Sequence, residues 1–177
     1  KNKIQIKQLV SNKKNIKAKD GLSPYIEIGD VNLINKKIEF KSKQSVKGSV
    51  IAEKGSILVS KVRPNRGAIA ILNQKQIVSN GFSVLTPKTE SVITSFLFHC
   101  LAWNEAFLYL MSRLATGSTY PTISDEDVLN YHIPKFSIDK QRLVSKKLDT
   151  IYDAILDLKS KIKSSKSLQK SLINQVF

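Results

Sequence analysis

The sequence contains few of the residues that form disulfides and metal sites. Among 177 residues there is one cysteine, Cys100, and there are two histidines, His99 and His132. A single cysteine excludes an intramolecular disulfide and is typical of a reducing compartment, so we expect a cytoplasmic protein. These three residues are too few soft ligands for a structural zinc site. The sequence therefore predicts neither a metal nor a cofactor.

Glycine is also scarce, with seven residues dispersed along the chain. The sequence has no Gly-rich phosphate loop and no Gly-x-Ser-x-Gly nucleophile motif. His99 lies in an apolar segment, where a histidine satisfied within the core is commoner than a general base. The acidic run Asp125-Glu126-Asp127 follows Ser124 and suits the start of a short helix rather than a metal site. Because no catalytic constellation is present, we expect a protein that is not an enzyme.

Long apolar runs are missing as well. The most apolar window, Ile93–Met111, has three polar residues in its middle, which is too many for an ordinary membrane span. Apolar residues recur there every three or four positions, which predicts one buried helix over residues 91–114, ended by Gly117 as its C′ residue. The chain starts with a basic, polar stretch instead of an apolar signal region, and we expect no membrane partner.

Positive charge, in contrast, is abundant. With 29 Lys and Arg against 14 Asp and Glu, the formal net charge is +15 at pH 7. Residues 1–134 hold 19 basic and 10 acidic side chains, and residues 135–177 hold 10 and 4, so both parts carry the excess. A polyanion is the expected partner class, either nucleic acid or an acidic surface. Basic composition also arises from genomic base composition, so charge alone leaves the partner open.

Short apolar runs bounded by turns occupy the first half of the chain. They predict strands over Ser23–Ile28, Asn35–Phe40, Gly55–Val62, Gly67–Leu72, Gln76–Val78 and Phe82–Leu85. Asn80-Gly81 separates the last two runs and is typical of a tight hairpin with a positive φ at the glycine. We expect little regular structure in residues 1–21. Together these patterns predict an α+β fold with a small, mostly antiparallel sheet and packed helices.

The last 43 residues, Lys135–Phe177, contain neither glycine nor proline and predict one long helix with Ser137 as its N-cap. At about 1.5 Å per residue it would extend roughly 60 Å, more than one small domain can cover. We therefore expect a domain over residues 1–135 and a pairing, spacer helix over residues 136–177. The apolar seam that would meet a partner helix is Leu148, Ile151, Ile155, Leu158, Ile162, Leu172 and Val176.

The charges along this helix favour an antiparallel partner. The acidic residues Asp149, Asp153 and Asp157 lie in the first half, and five lysines between Lys159 and Lys170 lie in the second. An antiparallel copy sets the acidic half against the basic half, whereas a parallel copy sets like charges together. The alternative is a helix docked along its own domain with a solvated charged face.

Three polar loops, at residues 41–47, 60–66 and 117–120, are candidates for contacting nucleic acid. Arg63 and Arg66 flank a Pro-Asn turn, and a guanidinium there can make two hydrogen bonds to guanine, whereas lysines mostly contact phosphate. The alternatives are a solvated turn and, in the third loop, hydroxyls that satisfy the preceding helix end. The candidate contacts are Lys41, Lys43, Lys47, Ser60, Lys61, Arg63, Asn65, Arg66, Ser118, Thr119 and Tyr120.

Several segments together resemble a known family. The run Leu114–Ser124 (LATGSTYPTIS), followed by Ile133-Pro134 and a long helix ending in Ser171–Phe177 (SLINQVF), closely resembles specificity subunits of type I restriction-modification systems. Gly55–Gly67 (GSILVSKVRPNRG) and Tyr25–Val31 (YIEIGDV) resemble strands of their target recognition domain. Tyr120 occupies a position where the family often has a polar amide.

The resemblance implies a non-catalytic subunit that recognises double-stranded DNA, holds methyltransferase (modification) and restriction/translocase subunits, and directs adenine methylation and restriction. In that family a full-length subunit has two target recognition domains, each followed by a long helix, and the two helices pair antiparallel. This chain has one of each, so it is either a half-size subunit that homodimerises or a fragment. A homodimer would read an interrupted palindrome. Two other readings stay open: a coiled-coil adaptor that does not bind DNA, and the recognition part of a fused restriction-methylation enzyme.

Overall fold

The computed structural model describes residues 2–12, 16–39 and 43–176. Its strands are β1 Lys3–Gln5, β2 Ile16–Lys17, β3 Tyr25–Ile26, β4 Val50–Ala52, β5 Ile57–Ser60, β6 Ile69–Ile71, β7 Gln76–Val78, β8 Phe82–Leu85 and β9 His132–Pro134. Its helices are α1 Ile6–Leu9, α2 Thr94–Ala102, α3 Glu105–Leu114, α4 Asp125–Leu129 and α5 Ile138–Val176. Short 3₁₀ turns cover Ile28–Asp30 and Pro64–Arg66. None of the helices in these ranges combines the length and apolar character needed to span a bilayer.

The strands form small sheets, as the predicted α+β class requires. One has the order β6-β5-β8 and is antiparallel. A second has the order β2-β4-β7-β3 and is antiparallel except for the parallel pair β3 and β7. A third consists of β1 and β9 alone and ties the N-terminal segment to the residues just before α5.

Strand β5 contributes to both apolar cores of the domain. Its Ile57 and Val59 belong to the larger cluster, which includes Leu97 of α2, whereas Leu58 belongs to a second cluster that includes Val78 of β7. Successive side chains of a strand point to opposite faces, so one strand can supply both clusters. Burial on both faces explains why this stretch reads as a continuous apolar run instead of an alternating one.

The prediction of little regular structure in residues 1–21 is wrong. Strand β1 pairs with β9, placing Ile4 opposite Ile133, and β2 pairs with β4. Helix α1 buries Ile6 and Leu9 almost completely in the larger core. These elements have two to four residues each, which is too short for the apolar periodicity of a helix or of a strand to be visible in the sequence.

The predicted hairpin at Asn80-Gly81 is also wrong. Strand β7 pairs with β3 and β4, whereas β8 pairs with β5, so this turn connects two sheets. The backbone of Gly81 does not adopt the positive φ that such a hairpin needs. Its lack of a side chain serves packing instead, because a Cβ there would lie 2.8 Å from Cδ1 of Ile28.

Two predicted strands are shortened or replaced by a turn. Of Ser23–Ile28 only Tyr25–Ile26 is a strand. The stretch predicted from Asn35 to Phe40, whose last residue lies outside the described ranges, is not a strand: Asn35 ends a turn over residues 33–35, and Ile38 forms an isolated bridge with Val31. The amide oxygen of Asn32 accepts hydrogen bonds from the backbone N–H groups of Ile34 (2.9 Å) and Asn35 (3.0 Å). Side-chain bonds of this kind compete with strand pairing, which accounts for the turn.

The single helix predicted over residues 91–114 is two helices, α2 and α3, divided at Asn104. Its Oδ1 accepts from the N–H of Phe107 at 3.2 Å and so caps α3, while its Nδ2 donates to the carbonyl of Cys100 at 3.1 Å. One amide therefore satisfies the end of one helix and the start of the next. Gly117 is not the C′ residue, because α3 ends at Leu114 with Ala115 as its C-cap.

Helix α5 extends from Ile138 to Val176, and the prediction of one long C-terminal helix is confirmed. Near its start Gln141, only 4% exposed, bonds to three backbone groups. Its Oε1 accepts from the N–H of Ile93 at 2.9 Å, and its Nε2 donates to the carbonyls of Phe136 (3.0 Å) and Ser91 (3.3 Å). Ile93 is the N-cap residue of α2 and has no side-chain cap bond, and Gln141 satisfies its backbone N–H from α5.

We expect Gln141→Ala to lower the free energy of unfolding by about 1–3 kcal/mol, because the backbone groups it satisfies would lose their partners in a buried environment. Urea denaturation followed by circular dichroism measures the change. Arg142→Ala alters the next residue, which is exposed, and is expected to stay within about 0.5 kcal/mol of the wild type. Equal losses in the two variants would show that the cap has no special role.

Candidate nucleic-acid interface

The turn between β5 and β6 carries both arginines predicted to approach bases. Arg63 has a left-handed backbone (φ 47°), and Gly67 closes the turn with φ 63°. The N–H of Arg66 donates to the carbonyl of Arg63 at 3.0 Å, and the N–H of Gly67 donates to that of Pro64 at 3.0 Å. Pro64 is buried while Asn65 and Arg66 are exposed, so a rigid turn presents polar side chains to solvent. A non-glycine residue with positive φ is uncommon, and such conformations cluster at functional sites.

The loop at residues 117–120 lies directly against this turn. The N–H of Arg63 donates to the carbonyl of Pro121 at 2.8 Å, and the N–H of Ile123 donates to the carbonyl of Lys61 at 3.0 Å. An isolated antiparallel bridge between Val62 and Thr122 lies between these two hydrogen bonds. Two loops that are distant in sequence therefore form a single surface, which we call the reading surface: residues 61–66 and 117–122.

The side chain of Arg63 is held at the centre of the reading surface. Its Nη2 donates to the carbonyl of Thr119 at 3.1 Å, and its guanidinium carbon lies 4.8 Å from the centroid of the Tyr120 ring. Tyr120 is 65% exposed. Ser118 and Thr119 are exposed beside it. A ring and a carbonyl already orient this guanidinium. It therefore loses less side-chain entropy than a free guanidinium would when it forms hydrogen bonds with a planar group.

The predicted lysine contacts are in different environments. Lys61 pairs with Asp125 at 3.0 Å. Lys43 forms ion pairs with Glu27 and with the buried Asp30, and the hydrogen bond to Glu27 is the main reason that its pKa is raised. Lys47 is exposed, and Lys41 lies outside the described residues.

Ser60, a predicted contact, faces inward. It is 2% exposed, and its hydroxyl donates to the carbonyl of Val62 at 2.7 Å. This bond fixes the chain where β5 enters the reading surface. Next to it, the N–H of Lys61 donates to the carbonyl of Gly81, and the side chain of Asn80 packs on Gly48. The loop that carries Lys47 is thereby connected to the reading surface through the turn between β7 and β8.

Sequence reasoning missed Lys36, which lies behind the reading surface. Its side chain is 7% exposed, its backbone φ is 50°, and its Nζ donates to the carbonyl of Gly67 at 2.6 Å. The same Nζ lies 5.0 Å from the ring centroid of Trp103. Burial lowers the pKa of this ammonium group. In a lysine-rich chain no sequence signal separates a buried lysine from the exposed ones.

The base of α5 docks on the domain through polar and aromatic contacts that the sequence did not indicate. His99 is buried, as expected of a core histidine, and its Nε2 lies 2.7 Å from Oδ1 of Asp149. Tyr152 donates its hydroxyl proton to the carbonyl of Asn35, and its ring lies 5.7 Å from that of Trp103. Aromatic pairs with these spacings add to the stability that burial alone provides. These contacts fix the direction in which α5 leaves the domain.

The face of α5 that docks is not the apolar seam. Gln141, Ser145, Asp149 and Tyr152 face the domain, and at about 100° per residue their mean direction is roughly 110° from that of the seam. The predicted seam residues remain 37–75% exposed: Leu148, Ile151, Ile155, Leu158, Ile162, Leu172 and Val176. The alternative of a helix docked along its own domain thus describes the base of α5 only, and that base docks through a face other than the seam.

Other reactive groups contribute little to this surface. Burial raises the pKa of the Cys100 thiol to about 12, which keeps it protonated at neutral pH. Across the part of the chain that the structure describes, no three His, Cys, Asp or Glu side chains are grouped in a way that would hold a metal ion. The chemistry of the reading surface is that of a guanidinium pair, hydroxyls and an aromatic ring.

Comparison with known proteins gives a consistent result. A family model described as "Type I restriction modification DNA specificity domain" matches residues 3–165. The specificity subunit of the type I restriction enzyme HindI from Haemophilus influenzae is 30% identical over 126 residues, which is 68% of this chain and 26% of that subunit. The chain thus spans about a quarter of the length of this curated relative.

Solved structures share the fold. An HsdS subunit from Thermoanaerobacter tengcongensis superposes with a TM-score of 0.73 at 20% identity, covering 88% of this chain and 43% of that one. A chain from a structure describing complex assembly and conformational transition of the type I R-M system gives 0.74 at 20% identity, covering 99% and 49%. The S subunit of a type I system from M. genitalium gives 0.60 at 17% identity, covering 89% and 40%. With a family model that covers most of its length, the chain belongs to the type I restriction-modification DNA specificity family.

Proposed function

We propose that this chain reads double-stranded DNA for a type I restriction-modification system. The observation that carries the proposal is the reading surface, in which Arg63 is oriented by Thr119 and Tyr120 from a distant loop. Specific contacts to DNA need donors held in a fixed geometry, and arginine bidentate to guanine is the commonest of them. The charge of +15 supplies the sequence-independent attraction to phosphate.

The residues of the surface take different roles in this proposal. Arg63, Asn65, Arg66 and Tyr120 approach base edges, since they are fixed on the paired loops. Ser118 and Thr119 offer groups for phosphate contacts, and Ser60 supports the turn from inside. Lys41 and Lys47 contact phosphates, while Lys43 and Lys61 contribute less because carboxylates already share their charge.

We also propose that residues 1–135 form the reading domain and residues 136–177 an antiparallel pairing helix. The exposed seam of α5 supports this division, since a row of apolar side chains in water would be stabilised by a partner helix. A second copy of this chain fits the acidic-to-basic order of the helix. Such a homodimer presents two equal reading surfaces and reads an interrupted palindrome. If the chain is instead one half of a longer subunit, the second helix of that subunit takes the same place.

The partners of the relatives complete the proposal. The chain would hold methyltransferase subunits and a restriction/translocase subunit, and would direct adenine methylation and restriction without catalysing either. The described relatives are specificity subunits, and one solved structure concerns assembly of the type I R-M system. Cytoplasmic location follows from this role.

Selection from a random DNA pool tests the proposal. The full chain is mixed with random duplexes, bound DNA is sequenced, and binding to the enriched duplex is measured by fluorescence anisotropy at several salt concentrations. We expect one enriched motif and an affinity that falls steeply with salt. Weak, uniform attraction without an enriched motif would favour a coiled-coil adaptor, and would overturn the DNA-reading assignment.

Lys47→Ala should weaken binding to all DNA sequences alike and lower the salt slope by about 1, since a phosphate contact releases counterions regardless of sequence. Lys43→Ala should also weaken binding to all DNA sequences, but by less, because the ammonium group of Lys43 is already paired with carboxylates. Anisotropy titrations at several salt concentrations measure both. Lys54→Ala removes an exposed charge on the turn between β4 and β5 and serves as the control. A Lys47 variant that changed sequence preference would contradict the phosphate role.

A further inference from the structure

A short chain of contacts connects α5 to the turn that carries Arg63 and Arg66. Tyr152 of α5 bonds to the carbonyl of Asn35. The next residue, Lys36, bonds to the carbonyl of Gly67, the last residue of the turn, at 2.6 Å. The helix and the turn are thus joined through two consecutive residues, Asn35 and Lys36.

The segment between these contacts is itself held in shape. The amide oxygen of Asn32 accepts from the N–H of Asn35, and the amide oxygen of Asn35 accepts from the N–H of Lys37 at 2.9 Å. Lys36 has a left-handed backbone (φ 50°), and its side chain reaches the carbonyl of Gly67. A segment restrained in this way transmits the position of one neighbour to the other, since it has few alternative conformations.

Gly67 is enclosed on two sides. A Cβ added at this position would lie 3.2 Å from Nζ of Lys36 and 3.2 Å from Cδ1 of Leu108 in α3. The turn is therefore held between an ammonium group and an apolar side chain. The ammonium group has little access to solvent, because Lys36 is 7% exposed and lies beside Trp103. Direct contact between this lysine and a DNA phosphate is excluded by its burial, and its role must act through the turn.

We propose that Lys36 and Tyr152 are positioning residues that set the orientation of the Arg63–Gly67 turn relative to α5. This inference rests on the proposed function, since its consequence is sequence discrimination. In a protein with two reading surfaces on paired helices, the angle between each turn and its helix decides whether both turns meet DNA in register. A buried lysine is suited to this task because its strong bond to a carbonyl is the main way to satisfy it.

The first test needs no DNA. In the full chain, Lys36→Met keeps the length of the side chain but removes the bond to Gly67, and Lys37→Met makes the same change at the exposed next residue. The N–H of Gly67 donates to the carbonyl of Pro64 within the turn, so its hydrogen exchange reports opening of the turn. We expect this N–H to exchange with solvent at least about tenfold faster in Lys36→Met than in Lys37→Met, measured by NMR. Lys36→Arg, which keeps a charged donor, should restore most of the protection. Exchange in folded Lys36→Met within about twofold of Lys37→Met would overturn the proposal.

The second test measures the ratio of dissociation constants for the enriched duplex and a single-base variant of it. Lys36→Met should lower this discrimination by at least about fivefold while affinity for unrelated DNA matches that of Lys37→Met. Tyr152→Phe removes only the hydroxyl and tests the other end of the connection if Lys36→Met does not fold; it should lower discrimination by about threefold or more. Wild-type discrimination in a folded Lys36→Met or Tyr152→Phe variant would overturn the proposal. Absence of discrimination in the wild type would instead count against DNA reading, and amide exchange would still decide the positioning role.

Discussion

Arg63→Ala is expected to reduce discrimination between the enriched DNA motif and single-base variants by about 1–3 kcal/mol, or roughly 5- to 150-fold. The guanidinium is held by Thr119 and Tyr120, so its loss removes an oriented pair of donors instead of a mobile charge. Affinity for unrelated DNA should fall much less. Competition anisotropy with matched and mismatched duplexes measures both quantities. Arg66→Ala is expected to fall in the same range.

Lys75→Ala is the matched control for Arg63→Ala. It also removes one positive charge, but Lys75 follows β6 at the end opposite the turn, where it pairs with Glu53 at 2.8 Å. Its loss should leave discrimination unchanged. If Arg63→Ala and Arg66→Ala both kept wild-type discrimination, the assignment of the reading surface would be wrong. If Lys75→Ala lost as much discrimination as the two arginine variants, the loss of charge alone would explain the effect.

Ile155→Asp is expected to weaken pairing of two chains by about 100-fold or more, because a dimer buries two new carboxylates in its seam. The side chain is 44% exposed on α5, so the domain should still fold. Sedimentation velocity over a range of micromolar concentrations measures the shift from dimer to monomer. DNA binding should also lose the contribution of the second reading surface, because the two domains would then bind independently.

Ser160→Asp is the control for this prediction. At about 100° per residue, Ser160 lies on the opposite side of α5 from the seam, and it is exposed. The substitution introduces the same charge as Ile155→Asp. Dimerisation should be unaffected by it. A wild-type chain that is strictly monomeric at micromolar concentration would contradict the homodimer, and would favour a chain whose partner helix belongs to the same longer subunit.

The long helix shows how far sequence reasoning reaches. Its extent and its seam follow from a period that is repeated over many turns, and the structure confirms the helix. Its docking face was not predicted, because Gln141, Ser145 and Asp149 are ordinary surface residue types. They face the domain only because backbone groups and His99 there need partners.

The reading surface shows a similar limit. Both loops were predicted as candidates, and the turn at Pro64 follows from local chemistry. Their union was not predictable, since the hydrogen bonds of Arg63 to Pro121 and of Lys61 to Ile123 join residues far apart in sequence. The same holds for Lys43 and Lys61, whose pairing with carboxylates depends on where the chain returns. Asn80-Gly81 predicts a hairpin that does not form, because a local preference for a hairpin cannot specify which sheet each strand joins.

The sequence by itself determined the features that depend on local periodicity and composition: an α+β domain, a long C-terminal helix with an apolar seam, a strong positive charge and two arginines on a tight turn. Tertiary structure alone decided which loops meet, which lysines are neutralised, and that Lys36 is buried behind Gly67. The physical reason is that these outcomes depend on satisfying buried polar groups across long sequence separations. No local pattern records such partners.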